Sequence, residues 1–271
     1  MNDPDVTPAR VALVTGAARG IGAATVHELC KDGYSVVAID IDGSTTTDAH
    51  GVDYALASSS DLESVASAYP RHVLPITADV RDLSAMQAAA DLAIERFGRL
   101  DAVVAAAAVI IGGQPLWQTP PEHLQTLLDI DVVGVWNTAT AVIPHMLAGP
   151  EPAGCRFVAV ASAAGTHGLY RLAGYNVAKH AVIGLVRGLA ADLVGTGVTA
   201  VAVSPGSTDT QMLQATADLY DLDSVQEFTH SSPLRRILHP EELAATIAFC
   251  CSRTGAVLNG SVVSATGGFT G

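Results

Sequence analysis

Hydrophobic residues follow two rhythms along this chain. Short unbroken apolar runs alternate with longer stretches in which apolar positions recur every three to four residues. The runs Val11–Thr15, Ser35–Asp40, His72–Thr77, Ala102–Ala106, Arg156–Ala161, Val198–Ser204 and Ser261–Ala265 read as strands. The periodic stretches Ile21–Asp32, Asp61–Ala68, Leu83–Phe97, Pro121–Met146, Tyr175–Val194 and Pro240–Ser252 read as helices. Strands without polar alternation are buried on both faces, as in a parallel sheet. About seven of them alternating with helices predict an α/β class: one doubly wound domain over 1–271, with a mostly parallel sheet. No repeat of fixed period and no linker divides the chain. Residues 41–60 are rich in Ser, Thr and Asp and read as a loop; 207–238 is mixed and polar.

Composition narrows the function classes. The 27 acidic against 14 basic residues give a formal charge of -13. That argues against nucleic acid, which requires clustered Lys and Arg, and against an anionic membrane surface. Cys30, Cys155, Cys250 and Cys251 show neither metal spacing nor a disulfide framework, and no metal site is predicted. A reducing, cytoplasmic setting fits them best. The opening MNDPDVTPAR lacks the apolar region of a secretory signal. No stretch of about 18 uninterrupted apolar residues predicts a membrane span.

The first candidate chemistry lies at Thr15–Gly22, TGAARGIG, between the first strand and the first helix. This is the context of a dinucleotide fingerprint. Gly16 permits the tight turn, and Gly20 and Gly22 allow close backbone approach. Arg19 and Ile21 lie in the same loop, and the helix N-terminus offers free N–H groups to phosphate. Asp40 ends the second strand, where a carboxylate accepts from both ribose hydroxyls and repels a 2′-phosphate. NAD is therefore favoured over NADP, although Arg19 is a base that a phosphate would attract. Asp79-Val80 ends the third strand and either lines an adenine pocket or supplies a helix cap.

The second is YNVAK, Tyr175–Lys179. On a helix these residues share a face, about 5–6 Å apart. Alone, the pair is ordinary packing. Beside a cofactor loop it is an acid–base pair, because an ammonium stabilises the phenolate.

The order and spacing of TGAARGIG, Asp40, Ser162, YNVAK and SPGSTDT (Ser204–Thr210) resemble the classical short-chain dehydrogenase/reductase family from Val11 to Gly271. The resemblance implies a Rossmann-type fold, a nicotinamide cofactor and hydride transfer at a carbinol or carbonyl carbon. It implies Tyr175 as acid/base, Lys179 as the group that lowers its pKa and holds the nicotinamide ribose, and Ser162 as a hydrogen-bond partner of the substrate oxygen. It places Pro205, Gly206, Thr208 and Thr210 at the carboxamide; Thr208 and Thr210 also suit a helix cap. Two departures stand out. The family's NNAG is here Ala105–Ala108, with Ala106 on the cofactor side, which loses polar contacts. The family's helix Asn is here Asp131, in Asp131-Val132-Val133-Gly134. Asp131 is a candidate proton-relay residue, or a helix acid paired with a neighbouring base. Its charge would raise the pKa of both Lys179 and Tyr175.

Segment 41–60 reads as an insertion over the adenosine end of the cofactor, either a surface loop or a flap slowing NAD release. With Ala105–Ala108, Ala159–Gly165 and the GGFTG ending, it resembles the mycofactocin-associated branch of the family. That branch implies a captive NAD reoxidised by a peptide-derived redox carrier, and the family implies a homotetramer. The alternatives are an ordinary family member with freely exchanging NAD(H), and a non-catalytic NAD-sensing protein. Trp117, His167, Leu169, Tyr170 and Met212 are candidate walls for a small hydrophobic alcohol or ketone, and 207–238 is a candidate lid.

Overall fold

The computed structural model describes residues 9–44 and 49–269. The polar N-terminal residues 1–8, the middle of the insertion at 45–48 and the last two residues of GGFTG lie outside them. The strands are β1 Val11–Thr15, β2 Ser35–Asp40, β3 Val73–Thr77, β4 Ala102–Ala105, β5 Arg156–Val160, β6 Thr199–Pro205 and β7 Val262–Ala265. They form one sheet in the order β3-β2-β1-β4-β5-β6-β7. Every pairing is parallel. The helices are α1 Gly20–Lys31, α2 Ser59–Ser67, α3 Leu83–Phe97, α4 Pro121–Leu127, α5 Gly134–Ala148, α6 Ala173–Asp192, α7 Gln211–Leu219 and α8 Pro240–Cys251.

The unbroken apolar strands have the predicted cause. On β1, Val11 and Leu13 enter one core with Met86 of α3, Val142 of α5 and Val186 of α6. Ala12 and Val14 enter the opposite core with Val26 of α1, Leu62 of α2 and Ile247 of α8. Period-2 side chains thus face two helical layers, so apolar residues dominate both faces. The strand order reverses between β1 and β4, which opens a crevice at the carboxyl ends of the strands.

Three segments differ from the sequence reading. The single helix expected over Pro121–Met146 is divided by a π-helical turn, Leu128–Val133, which carries Asp131. The run Pro121–Ala148 is long and apolar enough to cross a bilayer by length and composition, but half of its most apolar 18-residue window is buried within the domain. The insertion ends before 60: Ser58 caps α2 in a reciprocal capping box with Asp61. The mixed stretch 207–238 contains α7, capped by Thr210, and a 3-10 turn at Val225–Ser231. Its polar composition hid a helix whose apolar face, Leu213, Ala215 and Ala217, is buried.

Candidate active site

Segments from the whole length of the chain meet over the β1–β4 crossover and line a cleft of about 820 Å³. Gly16, Arg19, Gly20, Ile21, Gly22, Asp40, Asp79, Val80, Ala106, Pro205, Gly206, Thr208 and Thr210, all expected at the cofactor, lie along it. Gly16 has φ 67°, and a Cβ there would stand 2.7 Å from the Ala107 nitrogen. A Cβ at Gly22 would collide with the Gly16 carbonyl. Both positions therefore need glycine. Thr15 Oγ1 accepts from the Ala106 and Ala107 amides, so a threonine steadies the alanine run's backbone. Gly134 leaves room for Val80, whose Cγ2 would be 2.6 Å from an added Cβ. Asn137 donates to the carbonyls of Val80 and Arg81 and fixes that wall. A Cβ-free turn, a helix N-terminus and an acid ending β2 fit a dinucleotide.

Asp40 is anchored through Ala18 N–H and Ile41 N–H, each 2.8 Å away. Burial pushes its carboxyl up; the two amides pull it back only in part. Arg19 is committed elsewhere: it pairs with Asp61 at 2.8 Å and donates to the Ala55 carbonyl and to Gln211. It nonetheless lines the cleft, with its guanidinium held by these three partners. Asp79 is gripped by Arg81 and accepts the Arg81 amide, rather than capping α3; Asp82 makes that cap. Thr208 donates to the Gly206 carbonyl, while Thr210 both lines the cleft and caps α7.

The floor holds Ser162, Tyr175, Lys179 and Asp131. Ser162 follows β5, accepts the Ala164 amide and lies near enough to Tyr175 to favour its phenolate. Lys179 Nζ lies 5.5 Å from the Tyr175 ring centre. It also lies 3.2 Å from Asp131 Oδ2, and both side chains are almost fully buried. Asp131 Oδ1 accepts from Val109 N–H at 2.9 Å. Burial pushes the Tyr175 phenol above its ordinary value; Lys179 opposes that and Asp131 adds to it. Burial disfavours the Lys179 ammonium, yet Asp131 and Tyr175 outweigh it and the net direction is up.

Two pocket expectations need correction. Trp117 is 81% exposed on a short turn and does not line the cleft. His167 stands behind it, edge-on to Phe269, which does line it. Leu169, Tyr170 and Met212 do line the cleft. Sequence reasoning missed Tyr54, Leu56, Tyr220, Phe228 and Phe269. Val52, Tyr54 and Leu56 alternate with polar or small residues, a period-2 signal inside the apparent loop. All three pack on the cluster of Val109, Ile110, Ile111 and Tyr175. Tyr54 Oη accepts from Ile110 N–H at 3.1 Å. Residues 49–57 are therefore a strap reaching across the cleft to its reactive end. On the far side, Tyr220 stacks on Tyr170 and donates to its carbonyl, while Phe228 packs on Tyr220.

Comparison with known proteins agrees with this arrangement. A family model described as enoyl-(acyl carrier protein) reductase matches residues 16–270. The chain belongs to the short-chain dehydrogenase/reductase family. The chain is similar to (-)-trans-carveol dehydrogenase of Rhodococcus erythropolis, 35% identical over 76% of this chain and 73% of that one. A Mycobacterium tuberculosis protein described as an NAD-dependent oxidoreductase is 30% identical over 94% and 93% of the two chains. The crystal structure of carveol dehydrogenase from Mycobacterium avium in complex with NAD superposes with a TM-score of 0.86. It is 29% identical and covers 96% of each chain. This short-chain dehydrogenase/reductase is an NAD-dependent oxidoreductase acting between alcohol and carbonyl.

Proposed function

We propose that the protein interconverts a small, uncharged, hydrophobic secondary alcohol and its ketone, with Ser162, Tyr175 and Lys179 at the reacting oxygen. The observation that carries this reading is the contrast between the two ends of one cleft. Among the described residues, every charged residue lining it (Arg19, Asp40, Asp79, Arg81 and Lys179) sits at the cofactor end or the floor. The outer walls, Leu169, Tyr170, Met212, Leu213, Tyr220, Leu222, Phe228 and Phe269, bring no charge. An apolar ring or chain is welcome there; a carboxylate or phosphate has no partner.

Bound NAD supplies a hydride acceptor, or a donor when reduced. The protein residues do the rest. Ser162 holds the substrate oxygen. Tyr175 takes the hydroxyl proton in oxidation and returns it to the carbonyl oxygen in reduction, so each hydride transfer is matched by one proton. Lys179 stabilises the phenolate, and Asp131 holds Lys179.

The strap supports a finer reading, in which NAD leaves slowly and is reoxidised in place by a mycofactocin-type carrier. Arg19 ties the strap to α2 and α7. Tyr54 ties it to the loop after β4. The test is nucleotide content after exhaustive dialysis, followed by turnover of uncharged cyclic secondary alcohols. Near-stoichiometric NAD, with oxidation only when an artificial acceptor is added, supports a captive cofactor. An empty site turning over added NAD supports ordinary exchange. No alcohol or ketone turnover under either condition sinks the reading.

A further inference from the structure

Asp131 is the one buried charge in the reaction centre that the acid–base chemistry itself does not require. It has 0% exposure, and Lys179 has 2%. Its Oδ1 accepts the Val109 amide. Among the described residues its Oδ2 finds no well-aligned hydrogen bond, and the Lys179 ammonium stands 3.2 Å from it. Lys179 in turn gives one long bond, 3.4 Å, to the Val160 carbonyl. The carboxylate is thus spent on the ammonium rather than on a polar network. An amide of the same shape would keep the Val109 bond and leave Lys179 with an uncompensated charge.

Tyr175 feels that difference because little else surrounds it. Its own helix brings Lys179, the π-helical turn brings Asp131, and the end of β5 brings uncharged Ser162. The strap brings Tyr54, whose phenol burial pushes up and which also feels Asp131 and Tyr175. The loop after β4 contributes Val109 and Ile110, and α7 contributes Met212, Leu213 and Thr216, none of them ionisable. With Lys179 alone the buried centre would carry +1, and ionising the phenol would neutralise it. With Asp131 present the centre is neutral while the phenol is protonated, and ionisation creates a net buried negative charge.

We propose that Asp131 is a positioning residue that neutralises Lys179 and so keeps Tyr175 in its proton-donating form through neutral pH. The inference rests on Tyr175 being the proton carrier. Tyr175 is then ready to donate a proton at neutral pH, and its capacity to accept the alcohol proton rises as the medium becomes alkaline.

The test reads Tyr175 directly and needs no substrate. Tyrosinate absorbance is titrated in the NAD-loaded protein and in Asp131→Asn. In each background the curve of the matching Tyr175→Phe protein is subtracted, which removes the other five of the six tyrosines. Circular dichroism and NAD stoichiometry verify folding; Asp131→Ser replaces the amide variant if that one does not fold. The expected result is a Tyr175 midpoint lower by about one pH unit or more without the carboxylate. An unmoved midpoint overturns the proposal, even if the variant is less stable. So does the absence of any Tyr175 ionisation in both proteins across the range where they stay folded. If an alcohol substrate is in hand, the rise of oxidative kcat/KM with pH shifts acidward by a matching amount. Failure to find a substrate leaves the absorbance result intact.

Discussion

Tyr175 and Lys179 lie one helical turn apart on α6, and their meaning depends on what stands opposite. With Ser162 on one side and Lys179 below, removal of the phenol oxygen alone should abolish proton transfer while leaving the ring's packing intact. Tyr175→Phe is expected to lower kcat by about 10²–10⁴-fold. Its NAD stoichiometry after dialysis should match the parent. Turnover within a factor of about three of the parent would remove Tyr175 from the chemistry. At this scale the glycines were legible from sequence because their constraint is local: a turn with positive φ at Gly16 and no room at Gly22. The state of Arg19 was not legible. Its partners Asp61, Ala55 and Gln211 come from α2, the strap and the start of α7, far apart in sequence.

The strap is the element whose behaviour matters most. Its latch is Arg19, which donates to the Ala55 carbonyl while Asp61 holds it in place, and its far pin is the bond from the Ile110 amide to Tyr54. Tyr54→Phe removes the pin and keeps the aromatic packing. NAD release, followed by dilution into a competing nucleotide, should accelerate about fivefold to tenfold, the equivalent of one hydrogen bond. An unchanged rate would show that the pin does not hold the strap. The Asp61 carboxyl is pulled down to about 2, by the Ser58 hydroxyl and amide first and by Arg19 after them. A depressed carboxylate contributes fully above its unfolded value and loses that contribution as pH falls through its folded value. The latch should therefore hold across mildly acidic and neutral conditions. The release rate is expected to be flat between about pH 5 and 8. A rise within that window would place the latch on another group. A loop-like composition concealed this element, because Ser, Thr and Asp dominate residues 41–60 while only Val52, Tyr54 and Leu56 carry the packing.

Across the whole molecule, the end of the sheet away from the cleft is tied by buried charge. Asp101, 1% exposed, accepts the Val11 amide and grips Arg99 through both carboxylate oxygens. Arg156, also buried, donates to carbonyls of Ala153, Cys155, Ser252 and Arg253. Asp101→Ala leaves Arg99 with only Glu151 among the described residues, 3.6 Å away, and frees the start of β1. It is expected to cost about 3 kcal/mol and to lower Tm by about 6–10 °C in calorimetry. Reaction rates of the remaining folded enzyme should not change, because the site lies at the opposite edge of the sheet. A Tm loss below about 2 °C would mean that water replaces the carboxylate there.

The sequence by itself determined the parallel sheet, most of its helices and the position of the glycine turn. Each of these is written in local terms: unbroken apolar runs, a repeat of three to four residues, and glycine where a side chain cannot fit. It also specified the chemical types brought to the floor, Ser162, Tyr175, Lys179 and Asp131. Only the tertiary structure decided that Asp131 and Lys179 bury their charges against one another, that Arg19 is a latch, that Trp117 faces outward and that Tyr54 reaches Ile110. The reason is the same for all four. Whether a charged or aromatic side chain is paired, pinned or exposed depends on residues that are distant in the chain, and local pattern carries no record of which distant residues it will meet.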